Sequence, residues 1–260
     1  MKVLVVGDSI IDQYRFCKAT RLCPEACAPV LHIKSEKTCN GGAALVADTL
    51  KSLLGNQDSV LTAYGSVSHK ERTFADRTLI CRVDRDRYST MDTARYWDQV
   101  LGMASRADAI IVSDYAKGAI TQGIASGLVA LHKPLFVDAK GQTDWYKGCF
   151  AIFPNEEEHP NLHKGDFQHI IRKLGAKGCL VDNLHVPTRE QQVYDVTGAG
   201  DVFLAAFVAK FTEYSRDTLA NHGGTVLTAC ARYANVAAGI SVRYLGTHVV
   251  TPTEMSVEAS

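Results

Sequence analysis

The sequence predicts an α/β fold built on a parallel sheet that is covered by helices on both faces. Short β-branched runs alternate with helical patterns through the middle of the 260-residue chain, and such runs are typical of buried parallel strands. Four of them are followed at once by an acidic or amide side chain, namely Asp8, Asp114, Asp138 and Asn155. Because the carboxyl ends of parallel strands meet at one edge of a sheet, these side chains predict a ligand site there.

Each element has its own local signal. Short apolar or β-branched runs predict strands over residues 1–6, 30–33, 60–63, 78–83, 109–112, 135–137, 151–153 and 179–181. Helical spacing predicts helices over residues 43–54, 93–104, 121–132, 202–211 and about 218–244, the last with a candidate break at Gly223-Gly224. There is no internal repeat, low-complexity tract or interdomain linker, so we expect a single domain over residues 1–260.

Composition and charge exclude several classes of protein. Hydrophobic residues make up 46% and charged residues 22%, which is globular composition and not that of a disordered chain. Lys and Arg total 28, as do Asp and Glu, and a formal net charge of zero argues against a nucleic-acid partner. No apolar run is long enough to span a membrane, and from the residues at the amino terminus we expect no secretion signal. We therefore expect a cytoplasmic protein that binds small molecules, and neither nucleic acid nor a membrane.

The eight cysteines fall singly along the chain, which predicts reduced thiols. Some of them bunch near the amino terminus with one histidine and form a candidate zinc site: Cys17, Cys23, Cys27, His32 and Cys39. They lack the paired C-x-x-C spacing of structural zinc sites, so zinc is the minor alternative.

The strongest motif is Asp195-Val-Thr-Gly-Ala-Gly-Asp201, which leads directly into an apolar helix. The unpaired N–H groups of a helix start and the helix dipole form an anion site, and glycine lets those groups converge. A carboxylate at the mouth of such a site, here that of Asp201, is suited to accept a proton from a hydroxyl that attacks a phosphoryl group. The alternative is a glycine-rich turn in which Asp201 merely complements the helix start.

Together with Gly41-Gly42, this motif resembles the paired signatures of the ribokinase-like carbohydrate kinases. Further stretches, in family order along the whole chain, resemble the heptose 7-phosphate kinases within that family: Arg21-Leu-Cys-Pro-Glu-Ala26, Asp114-Tyr-Ala-Lys-Gly118, Val137-Asp-Ala-Lys-Gly141 and Ala234-Asn-Val-Ala-Ala-Gly239. The resemblance implies a ribokinase-like three-layer α/β/α sandwich with a small β lid, formed by about residues 16–37 and 77–87. It also implies a homodimer that pairs through the lid.

The implied activity is ATP- and Mg²⁺-dependent phosphorylation of the anomeric hydroxyl of D-glycero-D-manno-heptose 7-phosphate, giving the 1,7-bisphosphate. Three departures leave the acceptor open: Leu45 replaces the usual Asn, Ala139 replaces the usual Pro, and the stretch from Gly65 to Arg77 is brief. A lost hydrogen bond to a substrate hydroxyl can change specificity by orders of magnitude. The alternatives are a kinase for another sugar, sugar phosphate or nucleoside, and an inactive ligand-binding member.

The resemblance also implies roles for individual residues. Asp201 is the expected base, and the backbone N–H groups of Gly198, Ala199 and Gly200 are expected to hold the transferring phosphoryl group. Asn155 and Glu158 match a motif that organises Mg²⁺ and the ATP phosphates, often through water. The full nucleotide-binding set is Asn155, Glu158, Thr197, Gly198, Gly200 and Asn235, and the expected substrate-binding residues are Asp8, Asp12, Gly41, Gly42, Asp114, Lys117 and Lys140.

Each of these assignments has a plainer alternative. Asn155 and Glu158 would fit the start of a helix, where acidic groups favour the dipole. Asp8 would fit a turn, and Gly41-Gly42 would simply precede a helix. Lys140 at a strand end would be solvated rather than bound to a phosphate.

Overall fold

A mixed β-sheet runs through the centre of the protein. The computed structural model describes residues 1–76, 78–86, 92–158, 162–163, 165–214 and 216–259. Within these ranges the strands are β1 (Val3–Leu22), β2 (Pro29–Gly42), β3 (Val60–Ala75), β4 (Thr78–Arg85), β5 (Ala109–Asp114), β6 (Leu135–Ala139), β7 (Ala151–Ile152), β8 (His169–Lys173), β9 (Cys179–Val181) and β10 (Leu184–Val186). The helices are α1 (Ala43–Leu54), α2 (Thr93–Ala104), α3 (Gln122–Ala130), α4 (Ala199–Phe211), α5 (Arg216–Ser241) and α6 (Pro252–Ala259).

The strand order is β10-β9-β8-β7-β6-β5-β1-β3-β4, with β2 paired to β1. Neighbouring strands pair in parallel along the part of this order that runs β8-β7-β6-β5-β1-β3, as expected. β2, β4, β9 and β10 pair antiparallel, so antiparallel strands are added to the predicted parallel sheet. The reason is that these strands follow short hairpin turns, which only antiparallel neighbours can use.

Alternation of side chains along the central strands produces the three layers. In β1, Val3 and Val5 belong to a core shared with α1, α4, α5 and α6. Leu4 and Val6 face the opposite side and pack with α2 and α3. Successive side chains of a strand point to opposite faces, so a strand that is apolar at every position must be covered on both. The predicted three-layer α/β/α sandwich is confirmed.

The β lid is formed by the outer parts of β1, β2, β3 and β4. β1 continues past the layered core to Leu22, paired with β2 from Ser9↔Gly42 to Leu22↔Pro29 and with β3 as far as Cys17↔Ala75. The predicted lid segments were 16–37 and 77–87; residues 77 and 87 lie outside the described ranges. Residues 66–75, which were not predicted to be part of the lid, form its strand between β1 and β4. Residues 65–75 of the brief stretch therefore belong to one continuous strand, β3, and residue 77 lies outside the described ranges.

Two sequence expectations that depend on weak local signals had different outcomes. β8 was not predicted, because it has only two consecutive apolar residues between His169 and Arg172. The candidate break near Gly223-Gly224 is confirmed, since His222 has the non-helical angles φ −137° and ψ 30° inside α5. Within the part of the chain that the structure describes, no helix has the length and apolar character needed to cross a membrane.

Candidate active site

The site lies where the carboxyl ends of β5, β6 and β7 meet the amino terminus of α4. Pairing of Gly7 with Ser113 and of Ser113 with Asp138 aligns the ends of three neighbouring strands. Asp114, Asp138 and Asn155 therefore lie along one edge of the sheet, as the sequence predicted. Asp201, in the first turn of α4, completes the cluster from the helix side.

Gly198 creates the turn that starts α4. It adopts a left-handed φ of 77°, and a Cβ there would lie 2.6 Å from Leu45 Cδ2 and 2.9 Å from Thr247 Cγ2. No other amino acid fits at this position, because residues other than glycine rarely adopt a positive φ and their Cβ would be too close to these side chains. Leu45 is 1% exposed and packs beneath this turn within the core shared with α1 and α4. Its side chain thus supports the turn from below.

The backbone N–H groups at the start of α4 differ from one another. The amide of Ala199 donates to Val196 O at 3.2 Å, so in this structure it is not an unpaired donor, and its predicted contact with a phosphoryl group stays a prediction. The turn is tight enough to bring this amide within hydrogen-bond distance of the carbonyl group three residues before it. The amides of Gly198 and Gly200 have no acceptor among the described residues. We call these two groups the amide cradle; they are the unpaired donors that an anion site requires.

Asp201 is an enclosed carboxylate with one free oxygen. The residue is 2% exposed. Its Oδ2 accepts a 2.8 Å hydrogen bond from the Tyr115 hydroxyl, whereas its Oδ1 is buried and has no donor among the described residues. Burial and the negative charge of Asp138 raise the pKa of Asp201 to about 6, although the Tyr115 bond, Lys140 and Lys173 oppose the rise. A carboxyl group of this pKa is suited to general base catalysis near neutral pH.

A network of opposite charges lies beside Asp201. Asp138 accepts from Lys173 Nζ at 2.5 Å and from Lys140 Nζ at 3.2 Å, and Lys140 also contacts Glu158 at 2.7 Å. Burial alone would raise the pKa of Asp138, but the two ammonium groups outweigh it and lower that pKa. The same carboxylate contacts raise the pKa of Lys140.

Lys173 is a site residue that the sequence analysis missed. A Cβ on Gly200 would lie 3.3 Å from Lys173 Nζ, so the ammonium sits against the amide cradle. Asp138 is its only acceptor within the described ranges, which leaves donor capacity on a group with three N–H bonds. The residue ends β8, and recognising that strand would have placed it at the carboxyl edge of the sheet.

Asn155 and Glu158 form a reciprocal turn. Asn155 Oδ1 accepts from the amides of Glu157 and Glu158 at 3.0 and 2.6 Å, and Glu158 Oε2 accepts from the Asn155 amide at 3.2 Å. This is the local bonding of a helix-start or turn motif. The second oxygen of Glu158 reaches Lys140 and so connects the turn to the charged network.

Asp8 and Asp114 hold the loop that follows β5. Asp8 has no exposed surface and accepts from the amides of Tyr115, Lys117 and Ala119 at 2.8, 3.1 and 3.1 Å. It also accepts from Ser66 Oγ at 2.5 Å. Both oxygens of Asp8 are thus engaged inside the protein, which favours the turn-forming alternative over direct contact with substrate.

Asp114 is engaged in the same way. Its carboxylate accepts from the Ala116 amide at 2.9 Å and from the Tyr146 hydroxyl at 2.6 Å. The Lys117 ammonium reaches Asp86 at 2.5 Å, across to the end of β4. These contacts connect the loop after β5 to the lid.

Gly41 and Gly42 bring β2 close to β1. A Cβ on Gly41 would lie 2.7 Å from Asp12 Oδ2. Gly42 has a φ of 58°, and a Cβ there would lie 2.5 Å from the Asp8 carbonyl oxygen. Gly42 is therefore required by its backbone angle and by a backbone contact within the chain, whatever it does for a ligand.

The lid presents cations on the surface that bears Asp12; we call Asp12, Lys70, Arg72 and Arg82 the inner lid face. Asp12 forms an ion pair with Arg72, and the strand register puts Asp12 opposite Lys70 and Arg72 opposite Arg82. Lys70 Nζ lies 5.7 Å from the centre of the Tyr115 ring and has no ion-pair partner among the described residues. Burial, with the nearby guanidinium groups of Arg82 and Arg72, lowers the pKa of Lys70, although Asp12 opposes this. Sequence reasoning missed these cations; their alternate spacing was the available signal.

Asn235, one of the expected nucleotide-binding residues, lies on α5. Its side-chain amide donates to the carbonyl groups of Val186 and Pro187 at 3.0 and 3.3 Å. These bonds fix one wall of a cavity of about 430 Å³ that is lined by Pro187, Thr188, Arg189, Gln191, Arg232 and Asn235, among others. Asn235 therefore acts on the cavity partly through the wall that it holds.

From this cavity the chain continues through Asp195 and Thr197 into the turn before α4. Thr197 donates from its amide and its hydroxyl to Asp195 Oδ1 at 2.9 and 2.7 Å, and Gly246 donates to the other oxygen at 2.9 Å. Burial would raise the pKa of Asp195, but these bonds lower it. Thr197 thus supports the turn that carries Gly198.

The candidate zinc site does not form. Cys17 is buried, Cys27 is exposed, and within the described ranges no group of three or more His, Cys, Asp or Glu side chains is arranged to hold a metal ion. Cys23 instead donates to Glu25 at 2.5 Å in the β1–β2 turn.

Solved structures with the same fold cover nearly the whole chain. Ribokinase from Thermotoga maritima has a TM-score of 0.75 at 18% identity, over 99% of this chain and 98% of that one. Phosphofructokinase-2 from Escherichia coli has a TM-score of 0.72 at 12% identity, over 99% and 97%. Ribokinase from Arabidopsis thaliana, complexed with ribose and ATP, has a TM-score of 0.67 at 17% identity, over 98% and 97%. Identities this low establish the fold alone.

Curated relatives match this chain at higher sequence identity than these solved structures do. The bifunctional protein HldE of Methylococcus capsulatus is 30% identical over 310 residues, which cover 98% of this chain and 63% of the relative. That of Pelobacter propionicus is 29% identical over 312 residues, covering 97% and 62%. The chain thus spans less than two thirds of the length of these relatives. The model of the pfkB family of carbohydrate kinases matches residues 119–254, more than half of the chain, and the chain belongs to that family.

Proposed function

We propose that this sugar kinase transfers the γ-phosphoryl group of ATP to the anomeric hydroxyl of D-glycero-D-manno-heptose 7-phosphate, giving the 1,7-bisphosphate. The observation that carries the proposal is the buried carboxylate of Asp201 beside the unpaired amides of Gly198 and Gly200. A base and an anion site in contact are what phosphoryl transfer to an alcohol requires.

In this arrangement, different groups accept the proton and hold the phosphoryl group. Asp201 Oδ1 has no hydrogen-bond donor among the described residues, so it is the atom that accepts the proton of the attacking hydroxyl. The amide cradle and Lys173 hold the phosphoryl oxygens, on which negative charge spreads during transfer. The helix dipole of α4 adds to the same field.

The charges of the inner lid face support a phosphorylated acceptor. Lys70 is partly buried, lacks a carboxylate partner among the described residues and lies beside the Tyr115 ring, next to the base. Burying an ammonium is costly, and a bound phosphate would add to the negative charge of Asp12 and Asp84 that already acts on it. The stretches that resemble heptose 7-phosphate kinases point to the same acceptor class.

Asn155 and Glu158 fit Mg²⁺ that retains its water. Both side chains offer oxygen atoms, but these atoms already accept hydrogen bonds from backbone amides and from Lys140. Mg²⁺ keeps several of its waters and is often held by only one or two carboxylates together with substrate phosphates. When bound, it would neutralise charge on the ATP phosphates.

The exposed apolar side chains of the lid strands support a homodimer. Large apolar side chains are exposed on these strands, namely Leu22, Ile33, Leu79, Ile80 and Val83. β4 is also the last strand of the sheet order, and an exposed apolar edge strand favours pairing with another copy. Light scattering at micromolar concentration should give the mass of two chains; the mass of one chain would contradict this assembly.

A coupled ADP-release assay tests the function. The panel contains heptose 7-phosphates, other sugar phosphates, unphosphorylated sugars and nucleosides, each with ATP and Mg²⁺. We expect the highest kcat/KM with D-glycero-D-manno-heptose 7-phosphate. Turnover of unphosphorylated sugars alone would contradict the acceptor and support another kinase specificity, whereas ATP binding without any turnover would support an inactive ligand-binding member.

A further inference from the structure

The hydroxyl of Tyr115 touches the proposed base. It donates to Asp201 Oδ2 at 2.8 Å, while Asp201 Oδ1 stays buried without a donor among the described residues. The two oxygens of one carboxylate are thus made unequal by a single side chain. A carboxylate that retains one uncommitted oxygen beside an anion site has only that atom available for a proton.

The loop that carries Tyr115 is held in place by two other carboxylates. Asp8 accepts from the Tyr115 amide at 2.8 Å, and Asp114 accepts from the amide of Ala116, which has a left-handed φ of 55°. Tyr146 donates to Asp114 from the opposite side at 2.6 Å. A loop with so many buried bonds delivers the Tyr115 hydroxyl at a defined position, which is what a positioning group needs.

We propose that Tyr115 is a positioning residue for phosphoryl transfer: its hydroxyl holds Asp201 Oδ2, so that Oδ1 faces the attacking hydroxyl and receives its proton. This inference rests on the proposed function of Asp201 as the base. The proton of the attacking sugar hydroxyl moves to Asp201 Oδ1 as the sugar oxygen bonds to the γ-phosphorus. The bond between that phosphorus and the bridging oxygen of ADP breaks. Tyr115 loses no proton in this step.

The charges around the pair agree with that role. Burial and the negative charge of Asp201 raise the pKa of Tyr115 well above its usual value, so the phenol remains a donor. Asp138 faces the pair from β6, Lys140 from the turn after β6, Lys173 from β8 and Asp12 from β1. Lys70 and Lys140 also lie 5.7 and 5.6 Å from the centre of the Tyr115 ring.

The inference predicts a specific change in Tyr115→Phe. Loss of the hydrogen bond removes a contact that lowers the pKa of Asp201, so this pKa should rise from about 6. A hydrogen bond to a charged group contributes roughly 1.5–3 kcal/mol, which corresponds to a rise of about one unit or more. We therefore expect the acidic limb of the kcat/KM profile to move by about one pH unit to higher pH, with the KM for ATP unchanged.

Tyr96→Phe is the matched control, because it removes a buried phenol that donates to a backbone carbonyl group, that of Ala63, and to none of the carboxylates of the site. The acidic limb of the kcat/KM profile of this control should lie at the same pH as in the wild type. An equal shift in both variants, or no shift in Tyr115→Phe, would overturn the inference. A variant that merely folds less well would lower the whole profile without moving the limb.

A second measurement does not depend on any acceptor. Carbon-13 labelling of the aspartate carboxyl groups allows Asp201 to be titrated by NMR, with Asp201→Asn identifying its signal. A rise of about one unit in Tyr115→Phe supports the direct bond, and an unchanged pKa overturns it. A rise without turnover on any acceptor would contradict the proposed function, which separates the two failures.

Discussion

Lys173 Nζ lies 2.5 Å from Asp138 Oδ2 and 3.3 Å from the position that a Cβ on Gly200 would occupy. One ammonium therefore joins the carboxylate that raises the pKa of Asp201 to the amides that would hold a phosphate. This relationship leads to a test that needs nucleotide alone.

Lys173→Met should weaken ATP binding by about 10–100-fold and change ADP binding little, because a contact to a charged group contributes roughly 1.5–3 kcal/mol. Lys173→Arg keeps the charge and should recover part of the loss. Calorimetric titration with both nucleotides measures the difference. Lys177→Met is the control, since that side chain is 74% exposed and lies 3.8 Å from Glu156. Equal weakening for ATP and ADP would show that Lys173 does not contact the γ-phosphate.

Asp201→Asn should lower kcat by roughly a hundredfold or more, because it removes the base while keeping the shape and the acceptor for Tyr115. Affinity for ATP should be nearly unchanged. Retained turnover in a coupled ADP-release assay would mean that another group takes the proton.

The same variant should also be more stable at neutral pH. The pKa of Asp201 is raised from 3.8 to about 6, so the ionised carboxylate favours the unfolded state above that range. Removing the charge raises the thermal midpoint at pH 7.5, and the difference should vanish below pH 3.8, where the carboxyl is protonated in both states. A lower midpoint at pH 7.5 would contradict the cost assigned to this buried charge.

Lys70→Met should raise the KM for a phosphorylated acceptor about 10–100-fold and leave the KM for ATP unchanged. The reason is the loss of a cation that has no carboxylate partner among the described residues beside the site. Steady-state kinetics with the phosphorylated and unphosphorylated forms of one sugar isolate the effect. Lys18→Met, an exposed change on the same lid, is the control. Equal losses for both sugars would remove Lys70 from the phosphate subsite.

Glu254 ties the start of α6 to the preceding loop. Burial would raise its pKa, but bonds from the amide and hydroxyl of Thr251, and from Tyr244 and His248, outweigh this and lower the pKa to about 2. A depressed pKa contributes stability above the ordinary value of 4.5, and this stability is lost as the pH falls towards 2.

Glu254→Gln should therefore reduce the free energy of unfolding at pH 7 by about 1–2 kcal/mol. The gap to wild type should shrink between pH 4.5 and 2. Urea unfolding at several pH values measures it, with the exposed Glu157→Gln as the control. A gap that is constant with pH would show that the carboxylate charge contributes nothing.

The elements with strong periodic signals were predicted well. α1 and α2 have the predicted bounds, and the central strands β5 and β6 lie within two residues of theirs, because an apolar face or run of this kind can only be buried. β8 was missed since its signal is two apolar residues among polar ones, and its place follows from pairing with β7 and β9.

Within the site, the features that depend on local sequence could be predicted. The turn at Gly198 and the enclosed Asp201 follow from the motif itself. The bond from the amide of Ala199 to Val196 could not be predicted, because it depends on the geometry of the turn. The substrate contacts predicted for Asp12, Lys117 and Lys140 stay predictions.

The sequence by itself determined the layered α/β fold, the glycine-flanked start of α4 and the carboxylate that follows it. Only the tertiary structure decided that Asp8 holds a loop, that Tyr115 reaches Asp201, and that Lys173 and Lys70 lie beside the site. The reason is physical. Periodicity and backbone angles act over a few residues, whereas the charge and hydrogen bonding of a buried group depend on partners that folding brings from distant strands.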